Sequence, residues 1–115
     1  MALRKEPFVK ETTDTLGIVD YVLNGAVTDF QAFSILDDGD TFDYTARLLA
    51  EFEAGRGRYN SGPDSITRLE VYNSTNGDAA VNWGSGTKDI SMTYNAAQAI
   101  TKDEVFKLTM FIGGM

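Results

Sequence analysis

The run from Ser61 to Tyr94, SGPDSITRLEVYNSTNGDAAVNWGSGTKDISMTY, constrains the fold more than any other part of the chain. It holds three short β patterns separated by turn residues. Ile66, Leu69, Val71 and Tyr72 supply the first, Ala80, Val81 and Trp83 the second, and Ile90, Met92 and Tyr94 the third. In the third, Ser91 and Thr93 alternate with the apolar positions, as a strand with one buried face requires. Ser74 to Asp78 and Gly84 to Gly86 separate them, because Gly and Asn reach positive φ at little cost. A chain built on this run is all-β.

The preceding chain supplies strands to pair with it. Phe8, Val9, Thr12 and Thr13, then Leu16, Ile18, Val19, Tyr21, Val22 and Leu23, carry a β pattern. Asp14 to Gly17 is placed to turn between two strands, and Asn24-Gly25 marks another turn. Thr28-Asp29-Phe30-Gln31 fits a capping box and predicts a helical turn from Asp29 to about Ser34, with Phe30 and Phe33 as core anchors. Thr41 to Leu49 alternates Phe42, Tyr44, Ala46 and Leu48 against Asp43, Thr45 and Arg47. Glu51 to Tyr59 continues as a strand in which Gly55 and Gly57 mark a bulge or a close backbone approach. After Tyr94, Thr101-Lys102-Asp103-Glu104 fits a second capping box, and Val105 to Ile112 is strongly apolar. As a strand left at an edge, that last segment would invite aggregation, so it should be covered by its own sheet or by a second copy. The expected architecture is a small β-sandwich or barrel-like domain of about seven short strands with one or two helical turns. The 115 residues form one domain on this reading, with 1–7 as an extended arm and 95–115 as a closing or oligomer-contact segment.

Composition narrows the chemistry. The chain has no Cys and no His, which removes disulfides, thiol nucleophiles, the commonest general base and the commonest transition-metal ligands. A net charge of −7, with ten scattered Lys and Arg, gives no basic stripe for a phosphate backbone. Nor is there an apolar run near the ~20 residues that span a bilayer. No nucleic acid, membrane, cofactor or metal is expected as a partner. The Asp37-Asp38-Gly39-Asp40 cluster, with Asp43 nearby, carries the residue types calcium prefers, but the EF-hand spacing is not met and a solvated turn explains it better. Glu51, Glu53 and Glu70 could be read as a glycosidase pair, yet alternation of charged and apolar residues is accounted for by the wet face of a sheet. Arg56, Arg58 and Arg68 could meet carboxylates of another subunit, with an ordinary surface Arg as the simpler reading, and Trp83 and Tyr94 read as core. No catalytic residue is expected.

In order, VKETT (Val9 to Thr13), NGAVTDFQAF (Asn24 to Phe33), DDGDTFDY (Asp37 to Tyr44), GRYNSGPDSITR (Gly57 to Arg68), STNGDAAVNWGSGTK (Ser74 to Lys88) and DISMTY (Asp89 to Tyr94) resemble a small β module of virion structural proteins of tailed bacteriophages. The likeness covers most of the chain, from Val9 to Tyr94. Phe52 and Gly55 in EFEAG resemble an aromatic-acidic-Val-Gly strand of that module, while the run from Asp43 to Glu51 departs from it. The tail from Asn95 lies outside the likeness. The resemblance implies a virion protein assembled in the host cytoplasm and carries no catalytic residues. The small size, with one module and no fibrous extension, makes the expected role within that class a capsid decoration (cement) protein, a homotrimer binding the major capsid protein or other virion proteins. The alternatives are a tail or neck fibre connector and, more remotely, a carbohydrate-binding module. Arg4, Lys5, Phe8, Arg56, Arg58, Phe106, Met110 and Phe111 are the expected interface residues.

Overall fold

Alternation along one strand sets the frame. In the computed structural model, which describes residues 3–93, Thr41–Leu48 turns Phe42, Tyr44 and Ala46 into the core with no exposure to solvent. This strand, β4, follows β1 (Leu3–Arg4), β2 (Lys10–Thr13) and β3 (Tyr21–Ala26), and precedes β5 (Glu51–Asn60), β6 (Ser65–Ser74) and β7 (Lys88–Thr93). A single 3-10 turn, Phe33–Ile35, lies between β3 and β4.

Six of the seven strands close on themselves in the order β4-β5-β6-β3-β2-β7 and back to β4, every pairing antiparallel. The expected all-β fold is therefore a closed barrel rather than two stacked sheets. Closure removes the free edges that make a small sheet liable to aggregate. The strand β1 stands outside the ring. It pairs parallel with β4 at Leu3↔Thr41 and Arg4↔Phe42, on the same side that β7 takes from Asp43 onward.

A six-stranded barrel has little interior space, and the register of β4 against β5 shows how it is filled. Phe42 sits opposite Gly57, Tyr44 opposite Gly55, and Ala46 opposite Glu53. Large side chains thus face small ones. A Cβ on Gly55 would lie 2.1 Å from the Glu70 carbonyl oxygen, and one on Gly57 would lie 2.6 Å from Ile66 Cγ2. Both positions adjoin irregularities in the β5–β6 register, at Ala54/Gly55 and Arg56/Gly57. The bulge or close approach expected at these glycines is present in both forms.

Other expectations need correction. Asn24-Gly25 lies inside β3 instead of ending it. Leu16, Ile18 and Val19 are exposed in the connection between β2 and β3, not in a strand. The segment around Ala80 to Trp83 makes only an isolated bridge, Gly17↔Trp83, although Val81 and Trp83 are buried. The capping box at Thr28 does not start a helix. The Phe30 N–H instead bonds the Val27 carbonyl, and the Gln31 side chain donates to the Pro7 carbonyl. Phe33 is fully buried as expected, whereas Phe30 remains partly exposed against Phe8. Tyr94, the second capping box and the apolar stretch from Val105 to Ile112 lie outside the described residues.

Candidate functional site

The barrel has a seam. Only Tyr21↔Ile66 and Val22↔Ser65 pair β3 with β6, although β6 is ten residues long. Beyond Ile66, β6 runs past the start of β3 at Tyr21, and the chain around Gly17 to Val19 and around Val81 to Trp83 fills the gap. Gly17 and Trp83 bond each other's main chain in a lone bridge there, and other buried polar groups must be satisfied by other means.

Arg68 supplies the means. Its Nη1 donates to the carbonyls of Gly17 (3.3 Å) and Val19 (3.4 Å), and its Nη2 to the carbonyl of Val81 (2.9 Å). The other side of the guanidinium forms a two-point pair with Glu53, with Nε at 2.9 Å from Oε2 and Nη2 against Oε1. The same guanidinium lies 4.7 Å from the centre of the Tyr21 ring. A planar fork with several fixed donors suits this work, which a lysine could not do.

Glu53 is equally occupied. Besides Arg68, it accepts from the Tyr21 hydroxyl at 2.8 Å, the Tyr44 hydroxyl at 2.5 Å and the Val81 N–H at 2.8 Å. Trp83 Nε1 donates in turn to the Tyr21 hydroxyl at 2.9 Å. The Glu53 residue is wholly buried, and the Arg68 side chain is only 4% exposed. Burial alone would push the Glu53 carboxyl up. The Arg68 guanidinium, the Tyr44 hydroxyl and the Val81 N–H outweigh it and hold the group below the ordinary carboxylate range. Burial, together with the charge on Glu53, raises both tyrosine hydroxyls well above their ordinary value.

Two expectations are overturned here. Glu53 was expected on a wet sheet face and Arg68 on the surface, yet they form the most deeply buried ion pair among the described residues. The signal was in β5. Glu53, Gly55, Gly57 and Tyr59 all face inward, so the polar-looking strand presents one acid and two glycines to the core. An acid in register with glycines and a core tyrosine belongs to the inward stripe.

Chemically, this centre holds rather than reacts. An ionised carboxylate with both oxygens engaged by five donors, and closed to solvent, has no free lone pair for a substrate proton. Glu51 and Glu70, the other two candidates for a carboxylate pair, are exposed and do not join it. Of the aromatic residues that could form a sugar platform, Trp83 and Tyr59 are buried, and the half-buried Tyr72 donates its hydroxyl to Asp43.

Besides Asp40 and Asp43, which are also buried, Glu11 and Lys88 are buried charges that escaped the sequence reading. Glu11 accepts from the Gly25 N–H (2.8 Å) and the Phe33 N–H (2.7 Å), tying β2 to the end of β3 and to the 3-10 turn. Burial raises its carboxyl above the ordinary range despite these two bonds. Lys88 donates to the carbonyls of Thr15 (3.0 Å) and Gly84 (2.6 Å), and burial lowers its ammonium below the usual lysine value. It fastens the β2–β3 connection to the turn before β7.

Among the described residues, the expected interface residues lie on or beside the N-terminal arm and on β5, each with contacts of its own. Arg4 donates to Glu6 and, at 2.8 Å, to Asp40. Lys5 lines a shallow groove with Glu6, Pro7, Met92 and Thr93. Phe8 is 73% exposed. Arg56 lies on the outer face with its Nε 3.7 Å from Asp43, and Arg58 reaches Asn60 and Thr67. Phe106, Met110 and Phe111 lie outside the described residues. The aspartate turn is tied internally: Asp38 accepts from the Ser61 N–H, and Asp40 accepts from the Asp37 N–H as well as from Arg4. Among the described residues, no group of three or more acidic, His or Cys side chains is placed to hold a metal ion, and no helix is long and apolar enough to cross a membrane.

Comparison with protein-family models, with curated proteins and with solved structures finds no match.

Proposed function

We propose that this chain is a structural module of a tailed-bacteriophage virion, acting as a head decoration protein that binds across junctions between capsid subunits. The observation that carries this reading is the ordered series of segments from Val9 to Tyr94 that resembles such a module. The construction of the barrel supports a holding role. Its buried acid, base and tyrosines are engaged with one another, and Leu16, Ile18 and Val19, each more than half exposed, offer apolar area for a partner. A net charge of −7 opposes non-specific clumping of free copies before assembly. The mechanism is linkage: a protein that binds only the assembled shell stabilises that state by mass action, and three copies around one junction multiply the effect.

The test is binding of the purified protein to two particles, expanded heads lacking it and isolated tails. Saturable binding to heads at many copies, with raised resistance to heat, is the expected result. Binding to tails or necks alone, at a few copies, would replace the decoration reading with a fibre connector. Binding to neither would overturn both.

A further inference from the structure

The first residues of the described chain are attached to the barrel in an unusual way. Strand β1 is two residues long, pairs parallel on an edge of β4, and adds nothing to barrel closure. Its main anchor is Arg4, which lies between Glu6 and Asp40 with Asp37 at 4.0 Å. The Asp40 side chain is only 4% exposed and is itself fixed by the Asp37 N–H. It forms a prepared acidic socket, and a basic side chain occupies it.

The connection between arm and barrel is strained. Val9 is buried, and its carbonyl accepts from the Met92 N–H. Immediately before it, Phe8 has φ of 57°, a left-handed conformation that a bulky side chain strongly disfavours, and its ring stays largely in solvent. Pro7 precedes it. A stiff proline, a strained residue and a firmly anchored valine define a hinge at Pro7-Phe8, closed in this state by the Gln31 side chain on the Pro7 carbonyl and the Gln31 N–H on the Phe8 carbonyl. Swinging the arm outward would relax Phe8 and leave the socket at Asp40 open. The group that fits this socket is another copy's Arg4, because every copy presents the same arm and the same socket.

We propose that the arm is exchangeable: residues 3–7 of one copy dock along β4 of a second copy, with Arg4 entering the Asp37/Asp40 socket in trans. The assignment does not depend on the virion reading, since it requires only a second copy of this chain.

The chain contains no cysteine, which makes a clean test available in the full-length protein. Leu3 and Thr41 are register partners, so differently tagged Leu3→Cys and Thr41→Cys proteins are mixed and mildly oxidised. The expected product is a disulfide joining the two tags. It should be lost when Arg4→Glu is added to the Leu3→Cys chain, and a Leu49→Cys/Thr41→Cys mixture should not give it, because Leu49 is exposed but outside the arm. In a chain carrying both Leu3→Cys and Thr41→Cys, adding Phe8→Gly should raise the share of bonds closed within one chain. The proposal is overturned if the mixed single-cysteine proteins never join while the double-cysteine chain closes on itself at every concentration.

Discussion

Two glutamates are buried in this barrel, and they are held in opposite ways. Glu53 on β5 meets a guanidinium, two hydroxyls and one N–H; Glu11 on β2 meets two backbone N–H groups and no cation. The consequence is a carboxyl held low at one site and raised at the other. Burial penalises both ions; at Glu53 the guanidinium, with the Tyr44 hydroxyl and the Val81 N–H beside it, outweighs that penalty, and at Glu11 two N–H groups do not. The difference follows from what each end of the barrel lacks. At Glu53 β6 runs past the start of β3 and the main chain beside it must be gathered, which takes a multi-donor cation and hence an acid to balance it. At Glu11 the strands meet, and only two N–H groups, at the end of β3 and at the 3-10 turn, need an acceptor.

The comparison can be broken most severely at Arg68. Arg68→Ala removes the counter-charge and three carbonyl contacts at once, and should cost about 3–5 kcal/mol, as for other broken buried pairs; denaturant titration measures it. Glu11→Ala leaves two buried N–H groups without an acceptor but strands no charge, so a smaller loss of roughly 2–3 kcal/mol is expected by the same titration. Trp83→Phe removes one donor to the Tyr21 hydroxyl and leaves the pair intact, so a loss of about 1 kcal/mol should follow. The gentlest probe is pH. Glu53, lowered in the folded state, contributes stability above the ordinary value of 4.5 that is lost as pH falls through its folded value. Glu11, raised, does the reverse: stability falls as pH rises from 4.5 through its folded value. Denaturation midpoints followed against pH should therefore lose part of their acid limb in Glu53→Gln. In Glu11→Gln they should instead lose a decline that sets in above pH 4.5.

Alternation made much of the ring legible in the sequence. Phe42, Tyr44 and Ala46 in β4 declare a one-sided strand, and so does Ile90 in β7. Glycine gave a second true signal, for Gly55 and Gly57 sit where a Cβ would strike backbone or core. The candidate centre was legible only in part. The stripe of Glu53, Gly55, Gly57 and Tyr59 points Glu53 inward, but nothing local names the arginine fifteen residues on as its partner. That pairing depends on where β6 runs past β3, which is a property of closure and not of any one segment. The same reason explains Leu16, Ile18 and Val19. Their pattern suits a strand, but β3 begins only at Tyr21, and the residues before it form the patch across the seam.

The most direct test of the claim that Glu53 and Arg68 act as one unit closing the seam is a double-mutant cycle. Stability is measured for Glu53→Met, Arg68→Met and the two together. Each single change leaves a buried charge unmatched, while the double change leaves none, so the pair should lose far less stability than the two single losses added. Losses that simply add would contradict the account and leave the two side chains as independent contacts.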